Sequence, residues 1–108
     1  MKIYISGPMT GIEDFNKPAF NYWSNKVSLR GHEAVNPAAL PMPKDPSWCE
    51  FMKQDIRALM DCEAVLCLPG WEFSRGAKIE VNLAVELGLK VFTADELYDK
   101  TLLLKRGI

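Results

Sequence analysis

Two acidic residues, Glu80 and Asp55, stand where a purely structural role would favour another residue type. An apolar run, Ala64-Val65-Leu66-Cys67-Leu68, is followed by Pro69-Gly70-Trp71 and then Glu72-Phe73-Ser74-Arg75-Gly76-Ala77-Lys78-Ile79-Glu80. The run reads as a buried strand. Ser74 and Gly76 open a helix that runs to about Leu87 and stops at Gly88. Ala77, Glu80, Ala84 and Gly88 recur at helical spacing and share one stripe. Small residues on a stripe let a helix lie close to a sheet, and Glu80 sits among them. A carboxylate there is desolvated unless it has a partner or a reaction to perform. The plainer reading is a glutamate at the stripe's edge, reaching water or bonding a backbone amide.

Asp55 lies mid-helix in Phe51-Met52-Lys53-Gln54-Asp55-Ile56-Arg57, where an aspartate side chain competes for the backbone. Its plainer reading is a solvated face paired with Lys53, Arg57 or Arg75. Two carboxylates in one cleft suit substitution at a sugar carbon. One attacks the anomeric centre, and a protonated group assists the leaving group. Ser74, Gly76 and the backbone amides of a helix start suit an anion such as a phosphate. Trp71 offers a flat face to a ring or a nucleobase. The glycines match neither a dinucleotide fingerprint nor a Walker loop, which argues against nicotinamide and nucleoside-triphosphate chemistry.

These groups need elements to position them. Lys2 to Ser6 is a β-branched and aromatic run, a first strand. Gly7-Pro8-Met9-Thr10-Gly11 is a loop, and Asn16 is a candidate cap for a helix with Pro18 in its first turn. Ala19, Phe20, Trp23, Val27 and Leu29 supply that helix's apolar face, and Gly31 stops it. Glu33 to Pro37 is a short second strand, and a loop with Pro37, Pro41, Pro43 and Pro46 follows. Ser47 caps a second helix through Trp48, Phe51, Met52, Ile56, Leu59 and Met60. Ala64 to Leu68 is the third strand and Lys90 to Thr93 the fourth. Asp95 to Lys100 reads as a last helical turn, and Thr101 to Ile108 as an apolar tail docked on the body or on a second subunit.

Strands alternating with helices predict right-handed βαβ crossovers and a parallel sheet. The expected fold is α/β, a single-domain, flavodoxin- or Rossmann-like three-layer sandwich spanning 1–108. Its four or five strands take the order 2-1-3-4. Ligands in such folds bind beyond the carboxyl ends of the strands, at the switch point of chain direction. Here that point lies between strands 1 and 3. Their following loops are Ser6 to Gly11 and Pro69 to Gly76, so Gly7, Trp71 and Gly76 are expected to wall the cleft.

Net charge is −1, so nothing advertises a nucleic-acid polymer or an anionic membrane as partner. No apolar stretch approaches the roughly 20 residues of a membrane span, and the first residues read as a strand rather than a signal peptide. Cys49, Cys62 and Cys67 form an odd set without a C-x-x-C pair, which suits reduced thiols in a cytoplasm. The sole histidine, His32, follows Gly31 at a helix end and reads as a C-terminal cap. No metal or cofactor is expected. Apolar surface from Trp23, Trp48, Phe51 and Met52, read as only partly covered by its own chain, predicts a homodimer or higher homo-oligomer.

The chain resembles the nucleoside 2-deoxyribosyltransferase superfamily, especially its small 2'-deoxynucleoside 5'-monophosphate N-hydrolases. It is also similar to short phage and bacterial members of that superfamily without an assigned activity. The match rests on Tyr4-Ile5-Ser6-Gly7, Gln54-Asp55-Ile56, the third strand, and Ser74-Arg75-Gly76-Ala77-Lys78-Ile79-Glu80. The resemblance implies that Glu80 is a nucleophile and Asp55 the acid that assists at base and sugar. It implies Tyr4 as the aromatic residue beside the nucleophile and Ser74 as a phosphate contact. Pro8 stands where those hydrolases place a phosphate-contacting serine, leaving Ser6 and Thr10 as substitutes. The expected activity is cleavage or transfer of the N-glycosidic bond of a 2'-deoxynucleoside or its 5'-monophosphate. The alternative is a protein of the same fold that binds or senses a nucleotide or sugar phosphate without turnover.

Overall fold

A computed structural model describes residues 1–94. The expectations for Asp95 to Lys100 and for the tail to Ile108 lie outside the described residues. Four parallel strands, β1 (Lys2–Ser6), β2 (Glu33–Val35), β3 (Ala64–Cys67) and β4 (Lys90–Thr93), form one sheet in the order β2-β1-β3-β4. Three helices connect them: α1 (Lys17–Leu29), α2 (Trp48–Met60) and α3 (Arg75–Glu86). Strand 1 is internal, and the chain reverses direction across the sheet between β1 and β3. The α/β fold and strand order expected from the alternation are those observed.

The period of two along β1 assigns the faces. Ile3 and Ile5 point into a core with Phe20, Trp23 and Val27 of α1 and with Ala64 and Leu66 of β3. Tyr4 points the other way, packing with Val65 of β3, Leu59 of α2 and Ala84 of α3. Thus α1 covers one face while α2 and α3 cover the other. Tyr4 pairs in register with Val65, and Ser6 with Cys67, so both polar side chains of β1 face the α2–α3 layer.

Caps set the starts of the two helices that matter. The Ser47 hydroxyl accepts from the Glu50 amide at 3.3 Å and begins α2, and the Ser74 hydroxyl accepts from the Ala77 amide at 3.2 Å and begins α3. Asn16 holds the capping position of α1 but does not cap it. Its backbone is left-handed, and its side-chain amide donates to the Pro8 carbonyl at 2.9 Å. Asp14 and Phe15 share that left-handed conformation, an uncommon state for non-glycine residues that leaves Phe15 63% exposed. His32 closes the end of α1 as expected, through its backbone amide, which donates to the Val27 carbonyl at 3.3 Å, while its ring Nδ1 lies 2.8 Å from the Met1 amine.

Trp23 and Met52, expected to be partly uncovered, are buried within the chain itself. Trp23 belongs to the α1 core, and Met52 lies against Gly76 where α2 meets α3. The large exposed apolar groups lie instead at Phe73, Met42, Leu29 and Phe15. Among the described residues, no helix is long and apolar enough to cross a membrane.

Candidate functional site

The Glu80 carboxylate is inserted under the C-terminal half of β1. Tyr4 Oη donates to its Oε2 and Ser6 Oγ donates to its Oε1, each at 2.7 Å. Tyr4 and Ser6 are two apart on a strand, so both project from the same face. The stripe Ala77, Glu80, Ala84 is buried against that face, and the small side chains allow α3 to approach closely enough for both bonds. Glu80 is 5% exposed. The edge-of-stripe reading, with the carboxylate in water, does not hold.

Burial pushes the Glu80 carboxyl up to about 7, opposed by the hydrogen bonds from Ser6 and Tyr4. Asp55, on the facing side of α2, is also pushed up to about 7, first by its own burial and then by the charge of Glu80. Tyr4 is held well above the usual phenol range by burial and by the negative charge of Glu80 and Asp55. Three titratable groups from β1, α2 and α3 therefore share one electrostatic environment. Asp55 is half-buried and is not tied up in the ion pairs that the sequence offered it. Lys53 pairs with Glu50 at 3.2 Å, and the Arg75 guanidinium sits 4.0 Å from the centre of the Trp48 ring.

Two close approaches shape the surroundings. A Cβ on Gly7 would stand 2.8 Å from Leu68 Cβ, so the loops after β1 and β3 meet because this residue is glycine. A Cβ on Gly76 would stand 3.0 Å from Met52 Sδ and 4.0 Å from Trp48 Nε1, which draws the start of α3 onto α2. Ser74 lies at that same start, its oxygen engaged by the cap. Thr10 is exposed on the loop after β1. Trp71 lines a depression of about 220 Å³ with Pro69, Gly70 and Thr93, beyond the ends of β3 and β4. A second depression, of about 400 Å³, lies beside β2 and the end of α2. Neither is lined by Tyr4, Asp55 or Glu80. Among the described residues, Tyr4, Asp55 and Glu80 are the ionisable groups that converge, at the buried carboxylate and away from both hollows.

Trp48, expected as part of an apolar helix face, also stands beside the start of α3. Arg75, expected as one possible counter-ion for Asp55, lies over the Trp48 ring instead. The cue was compositional: a tryptophan directly after the capping Ser47 sits at a helix end rather than in its middle. Among the described residues, no cluster of histidine, cysteine or carboxylate side chains could hold a metal ion. Cys49, Cys62 and Cys67 form no disulfide among the described residues.

The arrangement is that of an ionisable carboxylate fixed by two hydroxyls, with a second carboxyl able to carry a proton beside it. Comparison with solved structures finds the same fold in a 2-desoxiribosyltransferase from Leishmania mexicana, with a TM-score of 0.67 and 19% sequence identity. That match covers 85% of this chain and 62% of the other, so this chain spans less than two thirds of that protein's length. No curated protein sequence matches. Residues 1–93, which include every group of the site, match the family described as a domain of unknown function, DUF4406. The chain belongs to the DUF4406 family.

Proposed function

We propose that this protein cleaves or exchanges the N-glycosidic bond of a 2'-deoxynucleoside or its 5'-monophosphate. The observation that carries the reading is the buried Glu80 carboxylate, held at 2.7 Å by both Tyr4 and Ser6 while Asp55 titrates beside it. A glutamate used only for structure gains nothing from a second carboxyl nearby, because the pair raises the cost of charge. A nucleophile and a proton donor need that pairing. The shared fold with a 2-desoxiribosyltransferase is consistent with the reading.

In this scheme a Glu80 oxygen forms a bond to C1' as the C1'–N bond breaks. The bonding pair leaves with the base, and Asp55 supplies the proton. Water or a second base then attacks C1' and returns Glu80 to a carboxylate. The missing 2'-hydroxyl of a deoxyribose eases oxocarbenium formation, so two carboxyl groups suffice. Tyr4 orients the nucleophile. Gly7, Thr10, Ser74, Gly76 and Trp71 are the proposed substrate-binding positions, Ser74 at the phosphate of a monophosphate. In this proposal residues 1–108 form one such domain, acting as a homodimer or higher homo-oligomer. Phe73 at 90% exposure supports a covered surface near the loop after β3.

The experiment is direct: incubate the protein with the common deoxynucleosides and their 5'-monophosphates and look for free base. Base released by the wild type and not by Glu80→Ala supports the proposal. Saturable binding without release, weakened in Glu80→Ala, would instead establish a sensor or sequestering protein of the same fold.

A further inference from the structure

Ser6 was expected to face substrate, yet its hydroxyl is wholly buried and committed to Glu80 Oε1 at 2.7 Å. The position is specific. Ser6 ends β1, its backbone is locked in register with Cys67, and its carbonyl accepts from the Leu68 amide at 2.8 Å. The side chain therefore projects from the face that α2 and α3 cover, where its hydroxyl reaches Glu80. Tyr4 already anchors Glu80 through the other oxygen. A single donor would orient the carboxylate, so a second one has a different consequence. It gives each oxygen a donor, and that arrangement favours the ionised group, whose two oxygens are both strong acceptors.

The geometry points to Ser6 as a positioning residue that keeps Glu80 ionised in its buried site and draws the electron pair back to it when the sugar leaves. This inference rests on the glycosidic reading for its second half alone. In the first step a Glu80 oxygen bonds C1', the C1'–N bond breaks, and the carboxylate loses its charge in becoming an ester. In the second step water bonds C1', the C1'–O bond to Glu80 breaks, and its electron pair returns to the carboxylate; the water proton passes to Asp55. A hydroxyl donates more strongly to a carboxylate than to an ester. Ser6 accordingly opposes the first step slightly and assists the second. Burial raises the Glu80 pKa, and of the two hydrogen bonds that resist this the Ser6 bond is the larger influence. The titratable groups facing Glu80 are Tyr4 from β1 and Asp55 from α2, and neither is altered by changing Ser6.

The test is a carbon-13 NMR titration of the full chain carrying labelled glutamate, with the Glu80 signal assigned from Glu80→Gln. Ser6→Ala is expected to raise the Glu80 midpoint by about one pH unit, the size of a lost hydrogen bond to a charged acceptor. Ser6→Cys, which keeps the volume but donates weakly, is expected to fall between the two. With a slow 2-fluorinated deoxynucleoside, the sugar adduct on Glu80 should persist several-fold longer in Ser6→Ala. An unchanged midpoint in a folded Ser6→Ala protein overturns the inference, and Ser6→Cys decides it by the same reading where the alanine variant does not fold. A wild type that releases no base defeats the glycosidic reading and leaves the titration result standing, so the two failures are separable.

Discussion

Tyr4 Oη donates to Glu80 Oε2 at 2.7 Å across a separation of 76 positions in the chain. The bond joins the middle of the first strand to the second turn of the third helix, through the layer where Leu59, Val65 and Ala84 are packed. Everything proposed for the site depends on that contact and on what stands near it.

Glu80→Gln is expected to reduce base release by on the order of a thousandfold or more, with the loss in kcat rather than KM. The amide keeps the shape and removes the charge that forms the bond to C1'. Steady-state kinetics on the preferred substrate, with intact-mass detection of a sugar adduct in the wild type, check this. Base release that survives the substitution would show that Glu80 is not the nucleophile.

Asp55→Asn should slow the reaction by roughly a hundredfold or more for natural bases, the usual scale of a lost general acid. A deoxyriboside whose leaving group departs without protonation should be slowed far less. Equal loss on both substrate types would instead assign Asp55 to binding.

Tyr4→Phe keeps the ring that packs on Val65 and Leu59 and removes one donor to Glu80. Stability is expected to fall by about 1–3 kcal/mol, because a buried acceptor loses a partner. The acid limb of the pH–rate profile should move to higher pH, since Glu80 becomes harder to ionise. Urea unfolding and the kcat/KM profile measure the two effects separately.

The two raised carboxyls also make stability depend on pH in a defined direction. Each has a folded pKa of about 7, against roughly 4 in an unfolded chain. The folded state therefore holds protons more tightly, and the stability this confers is fully present below about pH 4 and lost as pH rises through 7. Glu80→Gln removes the Glu80 share, on the order of a few kcal/mol. Its Tm relative to wild type is expected to rise between about pH 4 and pH 7 and to level off above. A constant difference across that range would mean that Glu80 is not shifted upward.

Gly7→Ala should cost about 1–3 kcal/mol, because the new methyl meets Leu68 Cβ, an atom fixed to its backbone. Gly76→Ala should cost less, since its nearest neighbour is the sulfur of a flexible methionine side chain. Thermal unfolding of the two variants ranks them, and the reverse order would contradict the packing of loops at the switch point.

The elements and their order were legible in the chain because they arise from short-range patterns. Lys2 to Ser6 and Lys90 to Thr93 show strand composition, Ser47 and Ser74 cap helices in fact as in pattern, and the βαβ alternation admits few sheet orders. The stripe of Ala77, Glu80 and Ala84 marked a buried carboxylate, since helical spacing alone puts those residues on one face.

Where the outcome depended on contacts distant in sequence, local pattern was silent or misleading. Asn16 had the right residue type for a cap, but the loop before it brought the Pro8 carbonyl within reach, and the side chain went there. Trp23 and Met52 were covered by elements whose approach is set by Gly76 and by the α1 packing. Arg75 found Trp48 instead of an acid. That Ser6 bonds Glu80 rather than facing the cleft follows from strand register and helix position together. Residue type determined which groups could be charged or could donate here. Only the tertiary structure decided which were buried together, because desolvation and hydrogen bonding act over a few ångströms of space and take no account of distance along the chain.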